Sequence, residues 1–316
     1  MFKCLLMIKS ILLLCPLFFL TMPDFSQSNG QIVSTTPIVY PAYEDIKDIS
    51  LYYEKTVYDN AVSDPGFSSE KLTYYSDSLK VIAFLCVPEP ITIGKKYPVV
   101  IFNRGSYIRN DIAFIHAPLF RKFTSEGFII IAPALRESEG SEGKDEMGGK
   151  DLNDIWNVLP LLHSLEYADT NNLFMYGESR GGMMTLQLLK RGFPVNAAAT
   201  VGAITDFGLY VKNTPGIENF CRQIWPDYDE EKSELCRQRS AIEWADQINA
   251  PLLIMAGSND RSVDPSESVL LAEKLKQLHK EHSLLIVEGG NHPLSGKWSD
   301  LRDSEILNWF KKYLSK

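Results

Sequence analysis

The sequence contains no run of basic residues and no segment in which basic and aromatic residues interleave. Its 316 residues carry a formal net charge of -8 at pH 7. Binding to nucleic acid or to an anionic membrane surface depends on clustered positive charge, so this balance argues against both partners. No internal repeat or low-complexity tract is present, and the length suits one large α/β domain once the N-terminus is removed.

The N-terminus also lacks an apolar run long enough for a comfortable membrane span. Its apolar run, residues 11–20, follows Lys3 and Lys9 and precedes small polar residues such as Ser26. A positive start, a short apolar segment and a small-residue exit are typical of a secretory signal peptide, which we assign to residues 1–28. We therefore expect a secreted or periplasmic protein without a membrane span; the alternative is anchoring by an uncleaved signal.

Cysteine is scarce, with five residues, and none has the spacing of zinc ligands. We therefore predict no metal and no cofactor. Cys4 and Cys15 leave with the signal peptide, and Cys86 lies in an apolar run that indicates a small buried side chain. Cys221 and Cys236 lie close together in a polar insertion. In an exported protein they could form a disulfide that stabilises the fold by about 3 kcal/mol.

One short stretch organises the rest of the chain. An apolar run at residues 173–176 is followed by Gly-Glu-Ser-Arg-Gly-Gly at 177–182 and then by a helical pattern at 183–189. A strand, a Gly-x-Ser-x-Gly motif and a helix in this order predict a nucleophile elbow with Ser179 at its tip. A strained turn of this kind exposes the hydroxyl and directs the first N–H groups of the helix at the bond under attack.

Strand and helix patterns alternate from Tyr97 to the C-terminus. This alternation predicts an α/β fold with a mostly parallel central sheet and helices on both faces. Before it, residues 72–75 and 79–87 form two β-rich runs separated by three residues, which predicts an antiparallel hairpin at the N-terminal edge of the sheet. We predict a leader at residues 29–71 and a catalytic domain at 72–316 with a short cap insertion at 205–245.

A serine hydroxyl needs a base to take its proton and an acid to orient that base. On this architecture the chain order is serine, acid, histidine. His292 follows the last predicted strand and two glycines, so we predict that it is the base. Asp260 follows the preceding strand and is the predicted acid. Two rivals lie nearby: Asp264, which has the pattern of a helix N-cap before a proline, and Asp206, one strand earlier.

The oxyanion formed during acyl transfer needs two hydrogen-bond donors. The backbone N–H of Arg180 is the predicted first donor, since it follows the nucleophile. The second should come from the loop after the strand at 97–102, centred on Gly105, with Ser106 or the Tyr107 hydroxyl as alternatives. Tyr107 is also a predicted substrate-binding residue.

The cap insertion and an acidic loop are candidates for substrate contacts. Trp225 and Phe220 could line an acyl or side-chain pocket, although packing within a small cap explains them equally well. Glu139 and Glu142 belong to a glycine-rich acidic loop at residues 137–151, which could attract a cationic substrate group such as a free amine. A solvated loop is the alternative.

These residues resemble the α/β-hydrolase fold, and more narrowly the catalytic domain of the prolyl oligopeptidase family of serine peptidases. Residues 176–185, 250–263 and 289–292 bear the resemblance, and the loop at 140–151 is similar to a loop of the family. The resemblance implies the roles of nucleophile, acid and base for Ser179, Asp260 and His292. Two features depart from the family: nothing before Leu72 is long enough for a β-propeller, and the loop at 103–107 lacks the His-Gly-Gly-Gly pattern of many esterases.

We therefore expect a secreted serine hydrolase that cleaves peptide or ester bonds in small or short substrates through an acyl-serine intermediate. A prolyl oligopeptidase-like peptidase is favoured and a carboxylesterase is the alternative. A non-catalytic binding protein on the same fold is the third possibility, because a fold alone does not establish chemistry.

Overall fold

A computed structural model describes residues 28–64, 66–107 and 110–315. The predicted signal peptide lies outside these residues, except for Ser28. In the described ranges no helix has both the length and the apolar character needed to cross a membrane.

The fold is a nine-stranded sheet between two layers of helices. The strands are β1 (Ile32–Pro37), β2 (Phe67–Ser76), β3 (Leu79–Pro88), β4 (Tyr97–Asn103), β5 (Ile129–Pro133), β6 (Ala168–Glu178), β7 (Ala197–Val201), β8 (Leu252–Gly257) and β9 (His282–Val287). The helices are α1 (Lys55–Ser63), α2 (Ile112–Ile115), α3 (Ala117–Ser125), α4 (Leu152–Trp156), α5 (Val158–His163), α6 (Arg180–Lys190), α7 (Phe207–Asn213), α8 (Ile217–Ile224), α9 (Tyr228–Arg239), α10 (Pro265–Gln277) and α11 (Ser299–Lys312).

The strand order is β1-β2-β3-β5-β4-β6-β7-β8-β9. The pairs β1–β2, β2–β3 and β3–β5 are antiparallel, and every neighbouring pair from β5 to β9 is parallel. The predicted α/β fold with a mostly parallel sheet and an antiparallel N-terminal edge is therefore confirmed. Because parallel strands end at the same edge, the loops after β4, β6, β7, β8 and β9 meet there.

The central strands carry apolar side chains on both of their faces because both faces of the sheet are covered. In β4, Val99 and Ile101 pack into one buried cluster, while Val100 and Phe102 pack into the other. The first cluster includes α6, and the second includes α3 and α11. This burial on two sides explains why the strands appear in the sequence as continuous hydrophobic runs rather than as alternating patterns.

The N-terminal segment is part of the fold. The segment predicted as a leader, residues 29–71, contains β1, α1 and the start of β2, so the sheet begins within it. Ile46, Ile49 and Tyr58 of this segment pack with Ile115 and Ala117 at the junction of α2 and α3. The sequence pattern here is mixed because the segment is short, contains prolines and buries only single side chains.

The insertion at 205–245 forms α7, α8, α9 and part of a 3₁₀ helix at Ala241–Gln247. Cys221 in α8 and Cys236 in α9 are free thiols in the structure, as is the buried Cys86. Burial raises the pKa of the Cys221 thiol to about 11. The disulfide that the sequence left open is therefore not formed here.

Candidate active site

Ser179 lies at the sharp turn between β6 and α6. Its backbone has φ 54° and ψ −122°, a conformation that a residue with a side chain rarely adopts. Glycine is required close by: a Cβ on Gly181 would lie 2.0 Å from the carbonyl oxygen of Asn103, and one on Gly177 would lie 2.4 Å from the carbonyl oxygen of Gly181. The close approach of β4, β6 and α6 therefore depends on these two glycines.

The predicted acid and the predicted base are in direct contact. Nδ1 of His292 lies 2.7 Å from Oδ2 of Asp260, whose side chain is 1% exposed. The other carboxylate oxygen of Asp260 accepts hydrogen bonds from the backbone N–H groups of Ser262 and Val263, at 2.8 and 3.0 Å. Gly202, at the end of β7, lies beneath this pair, since a Cβ there would be 2.8 Å from Nδ1 of His292.

Neither rival carboxylate contacts His292. Asp264 is the N-cap of α10 and accepts a hydrogen bond from the N–H of Ser266. Asp206 is the N-cap of α7 and accepts one from the N–H of Leu209. Both carboxylates thus satisfy helix ends.

Ser179 and His292 line the same small cavity of about 60 Å³. The cavity is completed by Gly105, Ser106, Glu178, Pro293, Tyr52 and His116. Sequence reasoning missed the last two. Tyr52 comes from the N-terminal segment. The apolar residues Ile112, Ile115, Leu119 and Phe123 have the spacing of one continuous helix across 111–125, but His116 lies at a break between α2 and α3. Pro118 in the first turn of α3 marks this break.

The loop after β4 lies directly against the elbow. A Cβ on Gly105 would be 3.2 Å from the Cβ of Ser179. The N–H groups of Ser106 and Arg180 have no acceptor among the described residues, so both are free to bind a ligand oxygen beside Ser179. The Tyr107 hydroxyl, by contrast, donates to the carbonyl oxygen of Asp145 at 3.2 Å, and its ring contacts Phe220 of the insertion.

Trp225 does not line this cavity. Its side chain is 8% exposed, its ring stacks with Tyr228 and lies under the Arg239 guanidinium, and its Nε1 donates to the carbonyl oxygen of Glu146. The structure therefore corrects its predicted role as a substrate-binding residue: Trp225 packs inside the insertion.

Most of the carboxylates named in the acidic loop at residues 137–151 accept hydrogen bonds from groups within the protein. A carboxylate oxygen of Glu139 accepts a hydrogen bond from the N–H of Ile112, and one of Glu142 accepts from the N–H of Lys80. Asp145 and Asp151 are fully buried and bind the Arg180 guanidinium at 2.6 and 2.7 Å. These carboxylates support the loop and the elbow, so the hypothesis of a cationic substrate group gains nothing from their placement.

A second buried charge network lies behind the nucleophile. The Glu178 carboxylate lies 3.2 Å from Nη1 of Arg302 and accepts a hydrogen bond from the Tyr176 hydroxyl. Arg302 also forms an ion pair with Asp303 through its Nε. Burial raises the pKa of the Glu178 carboxyl, and Arg302 opposes that shift. Arg302 also donates to the Tyr53 hydroxyl. The network therefore connects the elbow, α11 and the N-terminal segment.

Glu267 anchors the start of the insertion close to this edge of the sheet. It lies in the first turn of α10, is 1% exposed, and accepts hydrogen bonds from the N–H groups of Thr205 and Asp206 at 2.9 and 3.1 Å. Burial raises the pKa of its carboxyl from 4.5 to about 7, although the two backbone donors oppose this shift.

A pH dependence of stability follows from the raised pKa of Glu267. Between about pH 4.5 and pH 7 the Glu267 carboxyl is mostly protonated in the folded protein and mostly ionised in the unfolded chain. The stabilisation is therefore complete below pH 4.5 and is lost as the pH rises through 7, by at most about 1.4 kcal/mol per pH unit. Urea unfolding from pH 5 to 8 should show a flatter profile for Glu267→Gln, while Glu273→Gln, an exposed position on the same helix, should keep the wild-type slope. Equal slopes in all three proteins would contradict this account.

Comparisons with known proteins give matches in sequence and in structure. The family model described as the prolyl oligopeptidase family matches residues 119–316. The chain is 27% identical over 241 residues to the Bacillus subtilis protein called uncharacterized peptidase YtmA, covering 76% of this chain and 92% of that protein. It is 26% identical over 187 residues to acylamino-acid-releasing enzyme 1 of Oryza sativa subsp. japonica, covering 54% of this chain and 23% of that protein.

Two solved structures share the fold. A puromycin-hydrolyzing peptidase of Mycobacterium tuberculosis superposes with a TM-score of 0.69 at 23% identity, over 80% of this chain and 41% of that one. An acylaminoacyl peptidase of Pyrococcus horikoshii superposes with a TM-score of 0.64 at 22% identity, over 79% and 42%. The chain thus spans nearly all of YtmA but less than half the length of the other three proteins.

Proposed function

Because the chain belongs to the prolyl oligopeptidase family of serine peptidases, we propose that it hydrolyses acyl bonds through an acyl-enzyme formed on Ser179. One observation supports this proposal above the others. The His292–Asp260 pair at 2.7 Å lies beside the same cavity as Ser179, whose strained turn exposes its hydroxyl. The residues proposed as base, acid and nucleophile come from three different loops and lie at one edge of the sheet, as a catalytic triad requires.

The chemistry follows from which nitrogen of His292 is engaged. Nδ1 binds Asp260, which holds the ring as the tautomer with its proton on Nδ1 and leaves Nε2 to take the proton of Ser179. Oγ of Ser179 attacks the acyl carbon, and the carbonyl oxygen becomes an oxyanion that accepts hydrogen bonds from the free N–H groups at the elbow and the neighbouring loop. His292 then protonates the leaving amine or alcohol. A water molecule, deprotonated by His292, then attacks the acyl carbon, and His292 returns the proton to Oγ of Ser179 as the acid product leaves.

We propose amides of short peptides as the preferred substrates. The support is family membership, together with relatives whose names refer to peptidase or acylamino-acid-releasing activity. The small cavity at Ser179, about 60 Å³, suits a short acyl group or a small side chain next to the scissile bond.

The test compares substrates that share an acyl group and differ only in the bond cleaved. An N-acetyl-alanine p-nitroanilide and the corresponding p-nitrophenyl ester are one such pair, and free aminoacyl and dipeptidyl p-nitroanilides extend the panel. We expect measurable kcat/KM for the amides, absent in Ser179→Ala. Turnover of esters alone would contradict the peptidase proposal and favour a carboxylesterase.

Export is a further part of the proposal. It is supported by the positive, apolar and small-residue sequence of residues 1–28. The N-terminal sequence of the mature protein, purified from its own cells, tests it. We expect a start near residue 29, and a cytoplasmic protein that retains Met1 would contradict export.

A further inference from the structure

Arg104 lies at the start of the loop that faces the nucleophile, and its side chain is 1% exposed. One nitrogen of its guanidinium, Nη1, donates to the carbonyl oxygens of three successive residues. The distances are 3.0 Å to Gly105 and 3.2 Å to Ser106, with a shorter contact to Tyr107. The backbone of this loop is therefore folded around the Arg104 guanidinium.

The rest of the guanidinium is fixed to the neighbouring strand end. Nε and Nη2 donate to the carbonyl oxygen of Ala134 at 3.3 and 3.0 Å, and Nη2 also donates to the Ser138 hydroxyl at 2.7 Å. The planar fork of arginine can make all these bonds together, which a lysine ammonium cannot. The loop after β4 is thus fixed to the segment after β5.

Arg180 adds a second buried guanidinium on the same loop. Its Nη1 donates to the carbonyl oxygen of Ser106 at 3.2 Å, while Asp145 and Asp151 neutralise its charge. The carbonyl of Ser106 therefore accepts hydrogen bonds from both arginines.

The direction of these carbonyls decides where the amides point. In a trans peptide the C=O of one residue and the N–H of the next point in opposite directions. Because the carbonyl of Gly105 points at Arg104, the N–H of Ser106 points away from it. That N–H has no acceptor in the described part of the chain, and Ser106 lines the cavity with Ser179.

The conformation of Ser106 is one that the loop would not adopt without support. Its φ of 63° is in the left-handed region, which costs free energy for a residue with a side chain. Such a conformation persists where the surroundings determine it, and here the surroundings are the bonds from Arg104 and Arg180.

We propose that Arg104 is a positioning residue which orients the loop so that the N–H of Ser106 completes the oxyanion hole with the N–H of Arg180. This inference rests on the proposed function. It assigns the second oxyanion donor to the backbone of Ser106 and not to the Tyr107 hydroxyl, which is engaged with Asp145.

The test uses Arg104→Met, which keeps side-chain length but removes every donor, and Arg104→Lys, which keeps the charge and one donor nitrogen. We expect kcat per titrated active site to fall by about 10²–10³ for Arg104→Met, as for loss of one oxyanion donor, and by less for Arg104→Lys. KM should stay within a few-fold of wild type. Affinity for a boronic acid inhibitor, whose tetrahedral adduct occupies the oxyanion hole, should fall in parallel with kcat/KM.

Arg239→Lys is the matched control. Arg239 is also buried and donates to backbone carbonyls, those of Glu146, Met147 and Leu235. None of its hydrogen bonds goes to the described residues of the loop after β4. We expect a similar loss of thermal stability with kcat per site unchanged. If Arg104→Met fails to fold, the test rests on Arg104→Lys. For that variant we expect both kcat and boronate affinity to fall by at least several-fold.

Unchanged kcat and boronate affinity in a folded Arg104 variant would overturn the proposal, as would a rise in KM alone. These outcomes are distinct from failure of the proposed function. In that case the wild-type protein itself would show no turnover that depends on Ser179.

Discussion

Ser179→Ala is expected to lower kcat by about 10⁶, the loss seen when the nucleophile of a serine hydrolase is removed. Alanine lacks the Oγ that would form the acyl-enzyme, so only binding and the oxyanion donors remain. The variant should fold normally, because the Ser179 side chain makes no cap hydrogen bond to α6 in the described part of the chain and Cβ is retained. The measurement is steady-state turnover of the best amide or ester of the panel.

Ser125→Ala is the control for this variant. It removes a hydroxyl on the surface of α3 that donates only to the carbonyl oxygen of Lys122, so kcat should not change. A folded Ser179→Ala protein that kept more than a few per cent of wild-type activity would show that the nucleophile lies elsewhere.

Asp260→Asn is expected to lower kcat by about 10⁴, as for the equivalent substitution in serine proteases. The carboxylate of Asp260 accepts the Nδ1 proton of His292, which leaves Nε2 free to act as the base. An amide nitrogen at this place would donate to Nδ1 instead and would put the imidazole proton on Nε2. Shape is preserved, so the loss should appear in kcat with little change in thermal stability.

The two rival carboxylates provide matched controls. Asp264 and Asp206 are N-caps, and asparagine is as good an N-cap as aspartate. Asp264→Asn and Asp206→Asn should therefore keep kcat within about threefold and stability within about 1 kcal/mol. A loss at either position equal to that of Asp260→Asn would contradict the assignment of the acid.

The parts of the site that follow single strands could be predicted from the sequence. Ser179 comes directly after a buried strand, Asp260 lies shortly after another, and His292 lies in the loop after the last strand. Parallel strands end at one edge of the sheet, so the convergence of these three residues follows from strand order. The Asp264 N-cap was predictable for the same kind of local reason, because a proline follows it.

The parts that depend on long-range packing could not be predicted. Tyr52 reaches the cavity from a segment whose sequence has no periodic pattern, and His116 reaches it only because the helix predicted across it is broken. Trp225 is the reverse case. An aromatic residue in a polar insertion suggested a role in substrate binding, but its ring packs against Tyr228 and Arg239 within the insertion.

The burial of two arginines could not be predicted from the sequence either. Arg104 lies in a loop and Arg180 begins α6, and an arginine at either kind of position is usually solvated. Only the structure shows that carbonyl oxygens and two aspartates accept hydrogen bonds from them. The sequence offered one sign that these arginines are buried. Each lies directly beside a predicted elbow or oxyanion loop, where the chain is close-packed.

The central claim is that Ser179 is an activated nucleophile, and covalent labelling tests it most directly. The folded protein would be treated with a fluorophosphonate, digested, and analysed by mass spectrometry, with Ser179→Ala and His292→Gln in parallel. We predict one adduct, on Ser179, absent from the first variant and formed far more slowly in the second. A folded wild-type protein without an adduct, or with the adduct on another serine, would contradict the claim and, in the first case, favour a non-catalytic binding protein.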